Sequence, residues 1–132
     1  MTALEEGLAK IDTPDFVIFS SPGGNDLLLV VPYDDIMANV NAIIDVLQDA
    51  NPKVTIILEQ MAPIHSDLIN QVHRDIVTVA SQQTTLKSRI LSVDIFTGFT
   101  DEYLADNLHC NSTSAAFIAQ HYYDILINLL TI

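Results

Sequence analysis

The sequence predicts an α/β fold with a parallel sheet, and three observations carry that expectation. Phe16–Phe19, residues 54–58 and residues 90–96 are short apolar runs with the length and composition of buried strands. The segments between them place apolar residues at helical spacing. Each run also ends in turn-forming residues, so strand and helix alternate as they do in right-handed β-α-β crossovers. The 132 residues read as one domain, 1–132, without linker, internal repeat or low-complexity segment.

In chain order, Leu4, Leu8 and Ile11, with Glu5 and Glu6 among them, predict a short amphipathic helix over residues 2–11. Asp12-Thr13-Pro14-Asp15 breaks it. Phe16–Phe19 follows and reads as a central strand, because both of its faces are apolar. Ser20-Ser21-Pro22-Gly23-Gly24-Asn25-Asp26 then forms a polar turn at the rim of the sheet, where open α/β sheets place their chemistry. The stretch from Leu27 to Val31 shows no alternation and fits a loop wall, an extra strand turn or an interface patch. Tyr33-Asp34-Asp35 opens a helix with Ile36, Val40, Ile43, Ile44 and Leu47 on one face, ended by Asn51-Pro52. Beyond the second strand and Pro63, Ser66-Asp67 can cap a helix whose stripe is Leu68, Val72, Ile76 and Val79. Thr97-Gly98 turns the chain after the third strand. Asn111-Ser112 precedes a last helix with Ile118, Tyr122, Ile125 and Leu129 on its apolar side. Three strands are few for a sheet covered on both faces.

Composition narrows the function. A net charge of −12, from 17 acidic and five basic side chains, opposes binding to nucleic acid or an anionic membrane. The basic residues Lys10, Lys53, Arg74, Lys87 and Arg89 are scattered and form no patch. The chain is 49% hydrophobic, yet no apolar run approaches the roughly 20 residues of a membrane span. Glu5 and Glu6 stand where a signal peptide needs a basic start, so the default expectation is a cytoplasmic protein unless a segment lies upstream of Met1. The single cysteine, Cys110, has no internal partner and reads as a small buried thiol. No Cys/His spacing resembles a zinc site.

Two constellations can carry chemistry. Asp106 and His109 are three apart, close enough for the carboxylate to accept from Nδ1-H and leave Nε2 as a general base. The plainer reading of the pair is a surface turn with a helix-capping aspartate. Asn25, beyond the glycine pair, can aim its amide at a developing oxyanion beside the backbone N-H groups of the turn. Asn and Gly are equally ordinary turn residues. Both clusters fall on the carboxyl-end rim of one sheet, which strengthens each. A flavodoxin-like anion cradle over residues 20–25 is weaker, since Asp26, Asp34 and Asp35 repel phosphate.

Gly23-Gly24-Asn25-Asp26 after an apolar strand, then Asp106-Asn107-Leu108-His109 followed by Asn111 and a terminal helix, resembles blocks III and V of the SGNH, or GDSL-like, hydrolases. The resemblance runs through nearly the whole chain, covering the family's carboxyl-terminal two thirds. It implies a three-layer α/β/α sandwich, here reduced to about three parallel strands, and hydrolysis of carboxylic esters such as short-chain acyl esters by an acyl-enzyme route. It casts His109 as the base, Asp106 as its orienting carboxylate, Asn25 as the oxyanion donor and Gly23 as the glycine opening block III, with no metal or cofactor. The chain departs from the family in lacking a Gly-Asp-Ser block and the block II glycine. It therefore reads as truncated at its amino terminus, either part of a longer enzyme or a shortened member, and the alternative function is an inactive remnant serving as a binding or oligomerisation module. Ser20, Ser21 and Ser66 are the candidate substitute nucleophiles near the rim, and the plainer reading of each is a strand-end or helix-capping hydroxyl. Without the two absent strands Phe16–Phe19 becomes an exposed edge, so a homodimer or higher oligomer is expected through that edge, the patch from Leu27 to Val31, or both.

Overall fold

The computed structural model describes residues 2–63, 67–106 and 109–130, with Ile69 described by its backbone alone. Three strands, β1 (Phe16–Phe19), β2 (Thr55–Gln60) and β3 (Ile90–Asp94), form a parallel sheet in the order β1-β2-β3. Ile18 lies opposite Ile57, and Glu59 opposite Val93. Five α-helices accompany them among the described residues: α1 (Ala3–Leu8), α2 (Gly24–Leu28), α3 (Tyr33–Ala50), α4 (Asp67–Gln83) and α5 (Ser112–Leu130).

Side-chain alternation along the strands divides the core in two. Ile56, Leu58 and Ile90 point to one face, where Ile36, Val40 and Ile44 of α3 and Val72, Ile76 and Val79 of α4 close over them. Ile57 and Val93 point to the other, beneath Phe117, Ile118, Tyr122 and Ile125 of α5. The result is an α/β/α sandwich. Each fully buried Ile, Leu or Val contributes about 1.5–3 kcal/mol relative to exposure, so the stripes of α3 and α4 are what hold those helices to the sheet.

β2, with Ile56, Ile57 and Leu58 all inaccessible, is the central strand. Phe16–Phe19 is an edge strand instead of a central one. Val17 and Phe19 pack on the α3/α4 side, but Phe16 (48% exposed) and Ile18 (52%) remain open on the α5 side. The stretch from Leu27 to Val31 resolves into the last turn of α2 and a tight turn with Val30 at φ 58°. Leu27 and Val31 face the core, while Leu28, Leu29 and Val30 are exposed.

Boundaries moved for local reasons. α1 is shorter than the 2–11 periodicity suggests; it starts at a capping box in which Thr2 Oγ1 accepts from Glu5 N-H at 3.3 Å and Glu5 accepts from Thr2 N-H. β3 stops at Asp94 because that carboxylate accepts the N-H groups of Phe96 and Thr97, each at 2.9 Å, turning the chain two residues early. The helix cap placed at Ser66 lies outside the described residues.

Candidate active site

The segment between β3 and α5 is folded back on itself. A short 3₁₀ turn (Asp101–Tyr103) leads into an antiparallel bridge between Leu104 and Cys110, and Ala105 N-H donates to His109 O at 2.7 Å. Asn111 anchors this loop to α5. Its Oδ1 accepts from Thr113 and Ser114 N-H at 2.9 and 3.1 Å, capping the helix, while its Nδ2 donates to Glu102 O at 2.7 Å.

Within the loop Asp106 holds His109 at two points. Oδ1 accepts the backbone N-H of His109 at 2.6 Å and Oδ2 meets the ring Nδ1 at 2.8 Å. One carboxylate thus both closes the turn and fixes the orientation of the imidazole ring. A carboxylate acceptor at Nδ1 places the ring proton there and leaves Nε2 with its lone pair. The side chains are 74% and 57% exposed, so the ring is open to solvent.

The turn after β1 is shaped by two positive-φ residues, Ser21 at 49° and Gly23 at 77°. Gly23 is required for a second reason: a Cβ there would sit 2.5 Å from Cγ2 of Ile36, which is wholly buried. Gly24 N-H donates to Ser21 O at 3.0 Å and Leu27 N-H to Gly23 O at 2.9 Å, so the turn runs directly into α2 with Asn25 in its first turn.

Asn25 and His109 line one cavity of about 320 Å³, together with Ser21, Gly24, Glu59 and Cys110 and an apolar wall that includes Leu28, Met61, Ala62, Ile95, Leu104 and Ile118. Gly23 stands behind this lining and shapes the turn. Of the proposed hydroxyls, Ser21 reaches the cavity and its Oγ lies 2.8 Å from Met61 Sδ. Ser20 Oγ instead donates to Glu59 at 3.2 Å, and Ser66 falls outside the described residues. Cys110 is exposed, against the expectation of a buried thiol, because its bridge to Leu104 carries it along the cavity rim. Among the described residues no group of three or more His, Cys, Asp or Glu side chains could hold a metal ion. No helix among them is long and apolar enough to cross a membrane.

Glu59 escaped sequence reasoning. Its signal was a charge at the rim end of an otherwise apolar strand, Ile56-Ile57-Leu58-Glu59. The partly buried carboxylate accepts from Tyr122 OH at 2.6 Å. Burial, this hydrogen bond and the charge of Glu59 push the Tyr122 phenol above its ordinary pKa, so it stays a donor.

No protein-family model matches the sequence, and no curated protein matches it. Solved structures do. One is an acetyl esterase, crystallised as a serine-to-alanine mutant with an acetate ion, at TM-score 0.88 and 26% identity over 97% of this chain. A second is a carbohydrate esterase family 3 protein from Talaromyces cellulolyticus, at TM-score 0.83 and 26% identity, also over 97% of the chain. The chain is thus similar in structure to SGNH-type esterases, in line with the resemblance in its sequence. The α/β/α sandwich, with three parallel strands among the described residues, matches the fold of these esterases. The chain spans 64% and 66% of the length of these two esterases, and no Gly-Asp-Ser triplet occurs in it.

Proposed function

We propose that this chain is a hydrolase of short-chain acyl esters working through an acyl-enzyme. What supports the reading most is one cavity lined by both Asn25 and a His109 ring already held by Asp106. Kinship with esterases supports the bond type. The apolar wall suits an acyl group, and a cavity of about 320 Å³ suits a short one.

In this reading Ser21 is the nucleophile available within the chain, since it shares the cavity and occupies a left-handed strand-to-helix turn that exposes its hydroxyl. Its Oγ bonds to the carbonyl carbon as its proton passes to Nε2 of His109. The carbonyl π pair moves to oxygen, where the Asn25 amide donates to it. Collapse breaks the bond to the alcohol, which leaves with the proton from Nε2. Water then repeats the sequence on the acyl-serine and releases the carboxylic acid. Asp106 holds the imidazolium through Nδ1.

The lack of a Gly-Asp-Ser triplet favours a second reading, a non-catalytic module for binding or oligomerisation. Labelling with a fluorophosphonate followed by peptide mapping separates the two. A Ser21 adduct that disappears in His109→Ala supports hydrolysis; no adduct together with no ester turnover supports the module. Under either reading, a second copy of the chain pairs along β1. That strand offers a backbone edge beside the exposed Phe16 and Ile18, the same self-complementary surface on both partners.

A further inference from the structure

We infer that Glu59 is a positioning residue that locks the two halves of the site to each other. This rests on the ester-hydrolase reading above. The site is assembled from segments distant in sequence: the Ser21-to-Asn25 turn after β1, and the Asp106/His109 loop that leads into α5. Glu59, on the central strand between them, touches both sides. Its Oε1 accepts from Ser21 N-H at 3.3 Å, and its Oε2 accepts from Ser20 Oγ at 3.2 Å and from Tyr122 OH at 2.6 Å.

The position of Glu59 makes these bonds necessary. Strand alternation puts it on the α5 face with Ile57, where neighbouring side chains are apolar and a carboxylate costs free energy unless hydrogen-bonded. Each oxygen meets donors that water would otherwise supply. Ser21, in turn, is a non-glycine residue at φ 49°, a conformation that needs outside support. A charge-assisted hydrogen bond to its N-H provides that support and fixes where Pro22-Gly23-Gly24 deliver Asn25. On the other side Tyr122 fastens α5, whose capped start carries the His109 loop. Glu59 therefore sets the separation of oxyanion donor and base without touching the reacting atoms.

The test compares Glu59→Ala, Glu59→Gln and Tyr122→Phe with the parent protein by two independent readouts. Amide hydrogen exchange is expected to show Ser21 and Gly24 losing about tenfold or more protection in Glu59→Ala, with α4 unchanged, the size of a hydrogen bond to a charged group. Glu59→Gln, which keeps an acceptor and the shape, restores most of it. In hydrolysis of p-nitrophenyl acetate, kcat falls about 10- to 100-fold in Glu59→Ala with KM changed less than about threefold, as for a misplaced site, and Glu59→Gln recovers part of kcat. Tyr122→Phe gives the smaller loss of the same kind. Unchanged exchange at Ser21 and Gly24 in both Glu59 variants overturns the inference, as does a Glu59→Ala effect confined to KM. If the parent protein hydrolyses no ester, the functional reading fails while the exchange result still decides the role of Glu59. Should Glu59→Ala not fold, the Gln and Phe variants decide it.

Discussion

Replacing Gly23 by alanine adds one methyl group at the point where the site meets the core. The added Cβ would lie 2.5 Å from Cγ2 of Ile36, inside the closest distance that real Cβ atoms keep, and Ile36 is inaccessible to solvent. Ile36 is β-branched with a stiff χ1 and packs within the α3 stripe, so it cannot swing aside. Over-packing of this kind costs about 1–3 kcal/mol. The residue also sits at φ 77°, where an L side chain costs about 1–2 kcal/mol more. The expected loss is therefore about 2–5 kcal/mol. At a urea m-value of roughly 2 kcal/mol/M, that lowers the unfolding midpoint by about 1–2.5 M, measurable by far-ultraviolet circular dichroism. Gly7→Ala is the control, since a Cβ there meets nothing within 4 Å and alanine favours the helix by about 1 kcal/mol or less. If the Gly23→Ala midpoint matches that of the parent protein, the claim that Ile36 and the left-handed turn demand glycine is wrong.

Three further outcomes are expected. His109→Ala should reduce ester kcat about 10²- to 10⁴-fold and Asn25→Ala about 10²- to 10³-fold, both with unchanged thermal midpoints because both side chains are exposed; a fall in midpoint would signal a structural role instead. His73 is 2% exposed, and burial pushes its imidazole down to about 4 even though Ala62 O and the charge of Asp94 pull upward. The unfolded chain takes up that proton below about 6.5, so stability falls as pH drops from about 6.5 towards 4, by about 2–3 kcal/mol from this residue; His73→Leu should flatten that part of a denaturation-against-pH curve, and an unaltered slope would refute the assignment. Ile18→Lys should leave the fold intact and convert a dimer to monomer in sedimentation velocity, whereas a parent protein that is monomeric at micromolar concentration excludes pairing through β1.

How much was legible can be seen residue by residue. The β1 run, the α3 and α4 stripes and the Asn111 cap were readable because each depends on a local period or a local hydrogen bond. Asp106 and His109 were readable as a pair for the same reason, since three residues is within reach of one turn. The role of Glu59 was not readable. Its partners Ser20 and Tyr122 are 39 and 63 residues away, and no periodicity links them. Cys110 was misread because burial preference is an average over proteins, whereas its exposure follows from one bridge to Leu104.

By itself the sequence determined the alternation of strands and helices, the apolar faces that build both layers, the resemblance to SGNH-type hydrolases, and the acidic charge that opposes polyanions. These follow from side-chain period and charge, which are properties of neighbouring residues. Only the tertiary structure decided that β1 is an edge, that Ser21 rather than Ser20 faces the cavity, and that a glutamate joins the turn to α5. Those outcomes depend on which surfaces remain uncovered once the helices have packed, and that is a property of the whole chain.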